Sequence, residues 1–247
     1  MATKSEMKRY ASLKDRKARA ESDLFIAEGR KIVTEGLRSG CPCENVFVRK
    51  GYLGGDEEMN RLLSGREMEV LDEQEFRKLS DTRNPQGILG IFDYRNLLVK
   101  DLAEDTIIAL FDVADPRNMG TIIRSADWFG IREIVIGETC VDLFNDKVVR
   151  STMGSIFHNR FHLASDLSST LSALKPEYRI VTADIGGADY RKRRIGGKRV
   201  FVFSNEARGP SRDILEISDE IVTITGKGRA ESLNVSCAAA IIMADIE

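Results

Sequence analysis

Three polar segments carry the residues of this chain whose types and spacing could do chemistry. DVADPRNMGTIIRSADWFGI, at 112–131, sets Pro116 and Asn118 at the end of an apolar run. Gly120 is expected to let the backbone turn, and Arg124 falls one to two turns into a helix whose other face is Ile122, Ile123 and Ala126. FVFSNEARGPS, at 201–211, follows another apolar run with Ser204, Asn205 and Glu206, and Gly209 before Pro210 forces a tight loop that presents backbone N–H and C=O groups. ITGKGRAESLNVSCAAA, at 224–240, puts a glycine-containing loop before Ser232, Leu233 and Asn234. Ser232 is expected to cap the last helix and Leu233 to start its apolar face. Each segment stands at the C-terminal end of an apolar strand, where open α/β sheets hold their ligands. Taken singly, the first reads equally well as a ligand site or as a plain strand–turn–helix with a solvent-facing Arg, and the second equally well as a ligand loop or as an Asn/Gly turn that caps a helix. The third combines Asn234 with the long loop, which is more than a cap requires.

Familiar alternatives are missing. No G-x-G-x-x-G follows a strand and no G-x-x-x-x-G-K-[ST] occurs, which disfavours a nucleotide-dependent oxidoreductase or an NTPase. Cys41, Cys43, Cys140 and Cys237 are scattered and the chain has only His158 and His162. That is too few ligands at the wrong spacing for zinc, and no disulfide framework, so no metal is expected and the cysteines read as reduced thiols.

The elements that must position these segments follow from the pattern of the 247 residues, 42% of them hydrophobic and 31% charged. This composition describes a folded chain with a sizeable core. No apolar run reaches the roughly 20 residues needed to cross a bilayer, and a cytoplasmic location is the default expectation. Lys plus Arg number 37 against 39 Asp plus Glu, a net charge of −2 that taken alone speaks against a nucleic-acid partner. Distribution changes that reading. Residues 1–20 form a basic segment expected as an arm, and RKRRIGGKR, at 191–199, is the densest basic run, while the remainder is distinctly acidic.

Between them, residues 21–96 alternate short strands and helices, including FIAEGRKIVTEGLRSG, NVFVRK, DEEMNRLLSG, EMEVL, EQEFRKLS and QGILGIFDY, which predicts an α/β sandwich. Residues 97–106 carry no strong periodicity and are read as a linker. Residues 107–247 contain near-continuous apolar strands such as IIALF, IVIG and VFVFS, the pattern of a parallel sheet covered on both faces.

The three segments together resemble the SpoU-type, or TrmH-like, RNA ribose methyltransferases of the SPOUT superfamily. NMGTIIRSADWFG, SNEARGPS and ESLNVSCAAA stand in that family's order. FIAEGRKIVTEGLRSG and NPQGILGIF resemble the L30e-like substrate-binding domain that precedes the catalytic domain in members acting on ribosomal RNA. The resemblance implies an N-terminal L30e-like α/β sandwich and a C-terminal parallel-sheet α/β domain with a deep trefoil knot.

It implies S-adenosylmethionine as cofactor, held mainly through backbone groups at Ser204, Gly209, Ile224 and Leu233, with a further contact after the strand RIVTAD. It implies a homodimer, an RNA partner, and Arg124, Asn118, Glu206, Ser232 and Asn234 as the catalytic set. Two positions depart from the family pattern: Ser204 stands where Gly is common, and Thr225 follows Ile224 where Pro is usual. Ribosomal RNA is the expected substrate because of the first domain, with transfer RNA the runner-up and a non-catalytic RNA-binding factor the reading from another class.

Overall fold

The computed structural model describes residues 2–52, 57–66, 68–193 and 195–246. Asp56, Glu67 and Arg194, at an expected helix start, an expected strand start and within the basic run, lie outside them. In chain order the first elements are α1 (Lys4–Ser12), α2 (Arg16–Ser22), β1 (Leu24–Glu28), α3 (Arg30–Arg38), β2 (Cys43–Arg49), α4 (Glu57–Leu63), β3 (Met68–Leu71), α5 (Glu73–Leu79) and β4 (Ile88–Asp93). Then come β5 (Thr106–Phe111), α6 (Pro116–Trp128), β6 (Glu133–Ile136), α7 (Asp146–Ser151), β7 (Arg160–Leu163), α8 (Leu167–Leu174) and β8 (Arg179–Asp189). The last are β9 (Arg199–Ser204), α9 (Arg212–Ile217), β10 (Glu220–Thr223) and α10 (Val235–Ala244). The chain divides into two units: residues up to Leu97 with Phe144–His158, and Leu98–Leu143 with Asn159–Glu247.

The first unit holds a four-stranded sheet in the order β1-β4-β2-β3, antiparallel except for the β2–β3 pair. Successive strand residues point to opposite faces. Leu24 and Ile26 therefore join a core with Phe47, Phe76 and Leu79, while Phe25 packs against Phe92, Phe144 and Phe157 at centroid distances of 5.1–6.1 Å.

Two expectations are corrected here. The expected arm over 1–20 is, in its described residues 2–20, a folded part of the first unit: Thr3 and Glu6 close a capping box on α1, Asp15 caps α2, and Tyr10 and Leu13 enter the core. Burial of those two side chains at helical spacing outweighs the basic composition, whose Lys4, Lys8, Lys14, Arg16 and Lys17 remain exposed while Arg19 is buried. Residues 144–158, expected within 107–247, fold with the first unit because Phe144 and Phe157 pack on Phe25.

The second unit is a six-stranded sheet in the order β10-β8-β9-β5-β6-β7, parallel throughout. Its central strands β5 and β9 have buried middles, at Ile107–Leu110 and Val200–Phe203. β5 and β9 are neighbours, but the chain leaves β5 toward β6 and leaves β9 toward β10 on the far side. Their following loops thus part at a topological switch point, where such sheets form clefts.

β8 runs past the expected RIVTAD to Asp189 and pairs with β10 through a register shift at Ile221/Val222. Gly187 permits that approach, because a Cβ there would stand 2.6 Å from the Val222 backbone. Gly187→Ala is expected to destabilise the protein by about 1–3 kcal/mol, read as a lower denaturant midpoint. An unchanged midpoint would mean that the two strands separate locally at no cost.

Candidate active site

The first segment begins where β5 ends. Asp112 adopts a left-handed φ of 55° and is buried, and Asp115 then caps α6 by accepting from Arg117 N at 2.7 Å. Pro116 occupies the first helical position, where its missing N–H leaves no bond unmade. The helix therefore starts earlier than Gly120: Asn118 lies in its first turn, and Gly120 is a buried helical residue rather than a loop hinge. Ile122, Ile123 and Ala126 are buried, and α6 packs against α10. Arg124 points away from them, is exposed, and makes no hydrogen bond or ion pair among the described residues.

The second segment is organised by Asn205. Its N–H donates to Phe111 O at 3.2 Å and its Nδ2 to Asp112 O at 3.2 Å, while its Oδ1 accepts from Ala207 N at 2.9 Å and Arg208 N at 3.3 Å. Gly209 donates back to Asn205 O at 2.8 Å with φ at +67°, a backbone state that favours glycine. Ser204, at the end of β9, is buried opposite Phe111. Arg208 Nη2 pairs with Asp112 Oδ2 at 2.9 Å and so ties this loop to the first. Asp184 lies beside Gly209, whose Cβ position is 3.5 Å from Asp184 Oδ1.

In the third segment Ile224 is half-buried, and no hydrogen bond between backbone groups joins residues 225–233 to the other described residues. Ser232 is exposed and does not cap α10. The cap is Asn234, whose Oδ1 accepts from Ser236 N at 2.9 Å and Ser236 Oγ at 2.6 Å. Leu233 precedes the helix and is 45% exposed, so it does not start the buried face, which begins at Val235.

These three segments meet in a triangle of side chains. Asn234 Nδ2 donates to Asn118 Oδ1 at 2.9 Å and to Glu206 Oε1 at 3.3 Å, and Asn118 Nδ2 donates to the same Glu206 Oε1 at 3.1 Å. One carboxylate thereby accepts from two amides whose residues are 116 positions apart in the chain. Arg124 and Ser232 stand outside that network. Sequence reasoning missed Asp112 as a site-building residue, since nothing in its neighbourhood announces a non-glycine residue in a left-handed conformation. The organising role of Asn205 was legible in principle, because Asn before a glycine loop is an Asx-turn signal.

The basic run forms a different feature. Arg191, Arg193, Lys198 and Arg199 line a groove of about 1110 Å³ together with Tyr190 and the end of α10. Several of these cations already face acids: Arg191 pairs with Asp189 at 3.2 Å, and Lys198 with Glu177 at 3.3 Å. Burial pushes the Cys41 thiol up to about 12 and the Cys43 and Cys140 thiols up to about 11, so none of these three is a thiolate nucleophile at neutral pH. Among the described residues no group of three or more His, Cys, Asp or Glu could hold a metal ion, and no helix is long and apolar enough to cross a membrane.

A parallel α/β sheet whose strand-end loops converge on a polar cluster defines a ligand-binding domain of the open α/β class. Residues 105–244 match the SpoU rRNA Methylase family, and residues 4–90 match the MRM3-like substrate binding domain. The chain belongs to the SpoU rRNA methylase family. It is 32% identical to the 23S rRNA (guanosine(2553)-2′-O)-methyltransferase RlmP of Bacillus subtilis, over 98% of this chain and 96% of that protein. Among solved structures, a putative RNA methyltransferase of the TrmH family from Porphyromonas gingivalis superposes with a TM-score of 0.85 at 27% identity, covering 99% of this chain and 97% of that one. The AdoMet-bound rRNA methyltransferase from Sinorhizobium meliloti superposes with a TM-score of 0.82 at 26% identity, covering 98% and 94%.

Proposed function

We propose that this chain transfers the methyl group of S-adenosylmethionine to a ribose 2′-hydroxyl of ribosomal RNA. The observation that carries the reading is the triangle of Asn118, Glu206 and Asn234, which joins the three motif segments at the strand ends. S-adenosylmethionine, when bound, supplies a methyl group on a positively charged sulfur. The residues present fit it. The loop over residues 225–233 has backbone donors and acceptors with no backbone partner among the other described residues, Ile224 and Leu233 offer apolar surface, and Glu206 and Asp184 offer carboxylates for a cation. Ser204, Gly209, Ile224 and Leu233 would hold it, and Asp184, the last residue of RIVTAD rather than one after it, stands beside Gly209.

Methyl transfer to a hydroxyl requires alignment of the oxygen and stabilisation of its developing negative charge. An exposed guanidinium stays protonated and carries a planar fork of donors suited to phosphate. Arg124 therefore acts as a cation: it grips the phosphate next to the target ribose and stabilises the negative charge that develops on the 2′-oxygen as the oxygen–methyl bond forms, the methyl–sulfur bond breaks and the hydroxyl proton passes to water. Asn118, Glu206 and Asn234 position α6 against the two loops, and Ser232 adds a hydroxyl to the mouth of the site. The substrate-binding domain over residues 4–90 favours ribosomal over transfer RNA.

A homodimer, a trefoil knot at the third segment and a cytoplasmic location belong to the same proposal. Trp128, 83% exposed at the end of α6, and Ile241, 38% exposed on α10, support a second copy packing on this helix pair.

Incubation with labelled S-adenosylmethionine and unmodified ribosomal RNA, then digestion to nucleosides, is expected to yield a labelled 2′-O-methylnucleoside. Label on a base would refute the reaction. RNA binding is expected to be salt-dependent. If about three phosphates meet the groove cations, affinity falls roughly 20- to 40-fold between about 50 and 200 mM salt. A flat salt profile would remove the basic run from the RNA interface.

A further inference from the structure

The cofactor loop and the basic groove share one carboxylate. Asp189 ends β8 in register with Thr223 of β10, and its side chain is 14% exposed. Its Oδ2 accepts from Thr225 Oγ1 at 3.0 Å and from Arg191 Nη2 at 3.2 Å; its Oδ1 accepts from Arg191 N at 3.1 Å and Arg191 Nε at 3.2 Å. The Arg191 guanidinium, with help from the Arg191 N–H and the Thr225 hydroxyl, holds the Asp189 carboxyl down to about 2, so it is ionised at any working pH. Thr225 opens the loop over residues 225–233, whose backbone groups make no hydrogen bond to the backbone of the other described residues. Arg191 is half exposed and lines the groove.

Thr225 also stands where the family pattern has Pro. A proline ring fixes φ by itself, whereas a threonine at this point leaves the loop entrance free unless something else restrains it. The bond from Thr225 Oγ1 to a carboxylate already anchored in the sheet supplies that restraint.

We propose that Asp189 is a positioning residue that fixes the cofactor loop through Thr225 and couples it to the groove through Arg191, so that an RNA phosphate engaging Arg191 tightens cofactor binding. The inference rests on residues 224–233 being the cofactor loop, as argued above. Asp189 Oδ2 divides its charge between two donors. A phosphate that draws the guanidinium away leaves the Thr225 hydroxyl as its remaining side-chain donor, and a hydrogen bond to an undivided carboxylate charge is shorter and stronger. The loop entrance is then held more firmly and the cofactor meets a better-ordered site. Linkage makes the effect reciprocal: cofactor tightens RNA by the same factor.

The test uses full-length protein and S-adenosylhomocysteine, which binds without reacting. Its Kd is measured by calorimetry with and without transcribed 23S rRNA, for the wild type and for Thr225→Val and Thr225→Ser. In the wild type, RNA is expected to lower the Kd roughly twofold to threefold, a part of the net contribution of one hydrogen bond. Thr225→Val, which keeps shape and loses the donor, is expected to bind RNA alone within about twofold of wild type but to lose the RNA-induced shift, and Thr225→Ser to restore it. An equal shift in Thr225→Val, or none in the wild type, would overturn the coupling. Failure of the wild type to bind S-adenosylhomocysteine under any condition would instead overturn the functional reading itself.

Discussion

Arg124→Ala is expected to lower kcat/KM for methyl transfer by roughly 10²–10³-fold, the cost of removing a group that, on the proposed mechanism, stabilises a developing oxyanion. Arg124 is exposed on α6 and holds no partner among the described residues, so its removal leaves nothing buried and unpaired. Stability should therefore change by less than about 0.5 kcal/mol, and cofactor affinity should stay within about twofold. Arg124→Lys tests what the cation contributes. Lysine keeps the charge but loses the planar fork, and is expected to recover only part of the rate. Single-turnover transfer of labelled methyl groups, cofactor calorimetry and a thermal melt separate the three quantities. Turnover within threefold of wild type in Arg124→Ala would remove the residue from the reaction.

Glu206→Ala removes the acceptor on which two amides converge, leaving Asn118 Nδ2 without its acceptor and Asn234 Nδ2 with only Asn118 Oδ1. Because the three residues are water-accessible to differing degrees, the freed donors find solvent, and the stability cost is expected to be about 1 kcal/mol. Activity should fall about 100-fold, since the first turn of α6, the loop after β9 and the start of α10 lose their common fastening and misplacement of reacting groups is costly. Glu206→Gln keeps an acceptor oxygen of the same reach and is expected to recover most of the rate. If it were as inactive as Glu206→Ala, the carboxylate charge rather than the geometry would be what the reaction needs. Asn118→Ala combined with Glu206→Ala should cost little more than either alone, as members of one network are not additive. An additive double variant would mean that the two residues act separately.

Much of this architecture was legible in residue patterns. The buried runs at 107–110 and 200–203 are apolar at successive positions, the pattern of a strand covered on both faces, and the sheet is parallel, the class of sheet in which such strands are most frequent. Errors fell where local signals compete. Ser232 and Asn234 are both good caps, and only the fit of Asn234 to Asn118 and Glu206 selects it. At α6, Pro116 and Asp115 made a stronger start than the glycine four residues later. In residues 1–20 seven basic side chains hid two apolar ones, Tyr10 and Leu13, at helical spacing.

By itself, the sequence determined the order of most of the elements, α1, α2 and α9 excepted, and the identity of the three polar segments, because strand and helix periodicities and turn residues act over a few positions. Only the tertiary structure decided that Asn118, Glu206 and Asn234 share one set of hydrogen bonds, that Asp112 and Arg208 tie two loops together, and that Asp189 answers to both Thr225 and Arg191. Those contacts join segments up to 116 residues apart. They depend on the order of strands in the sheet, which places β9 beside β5 and β10 beside β8, and no local pattern of residues encodes that order.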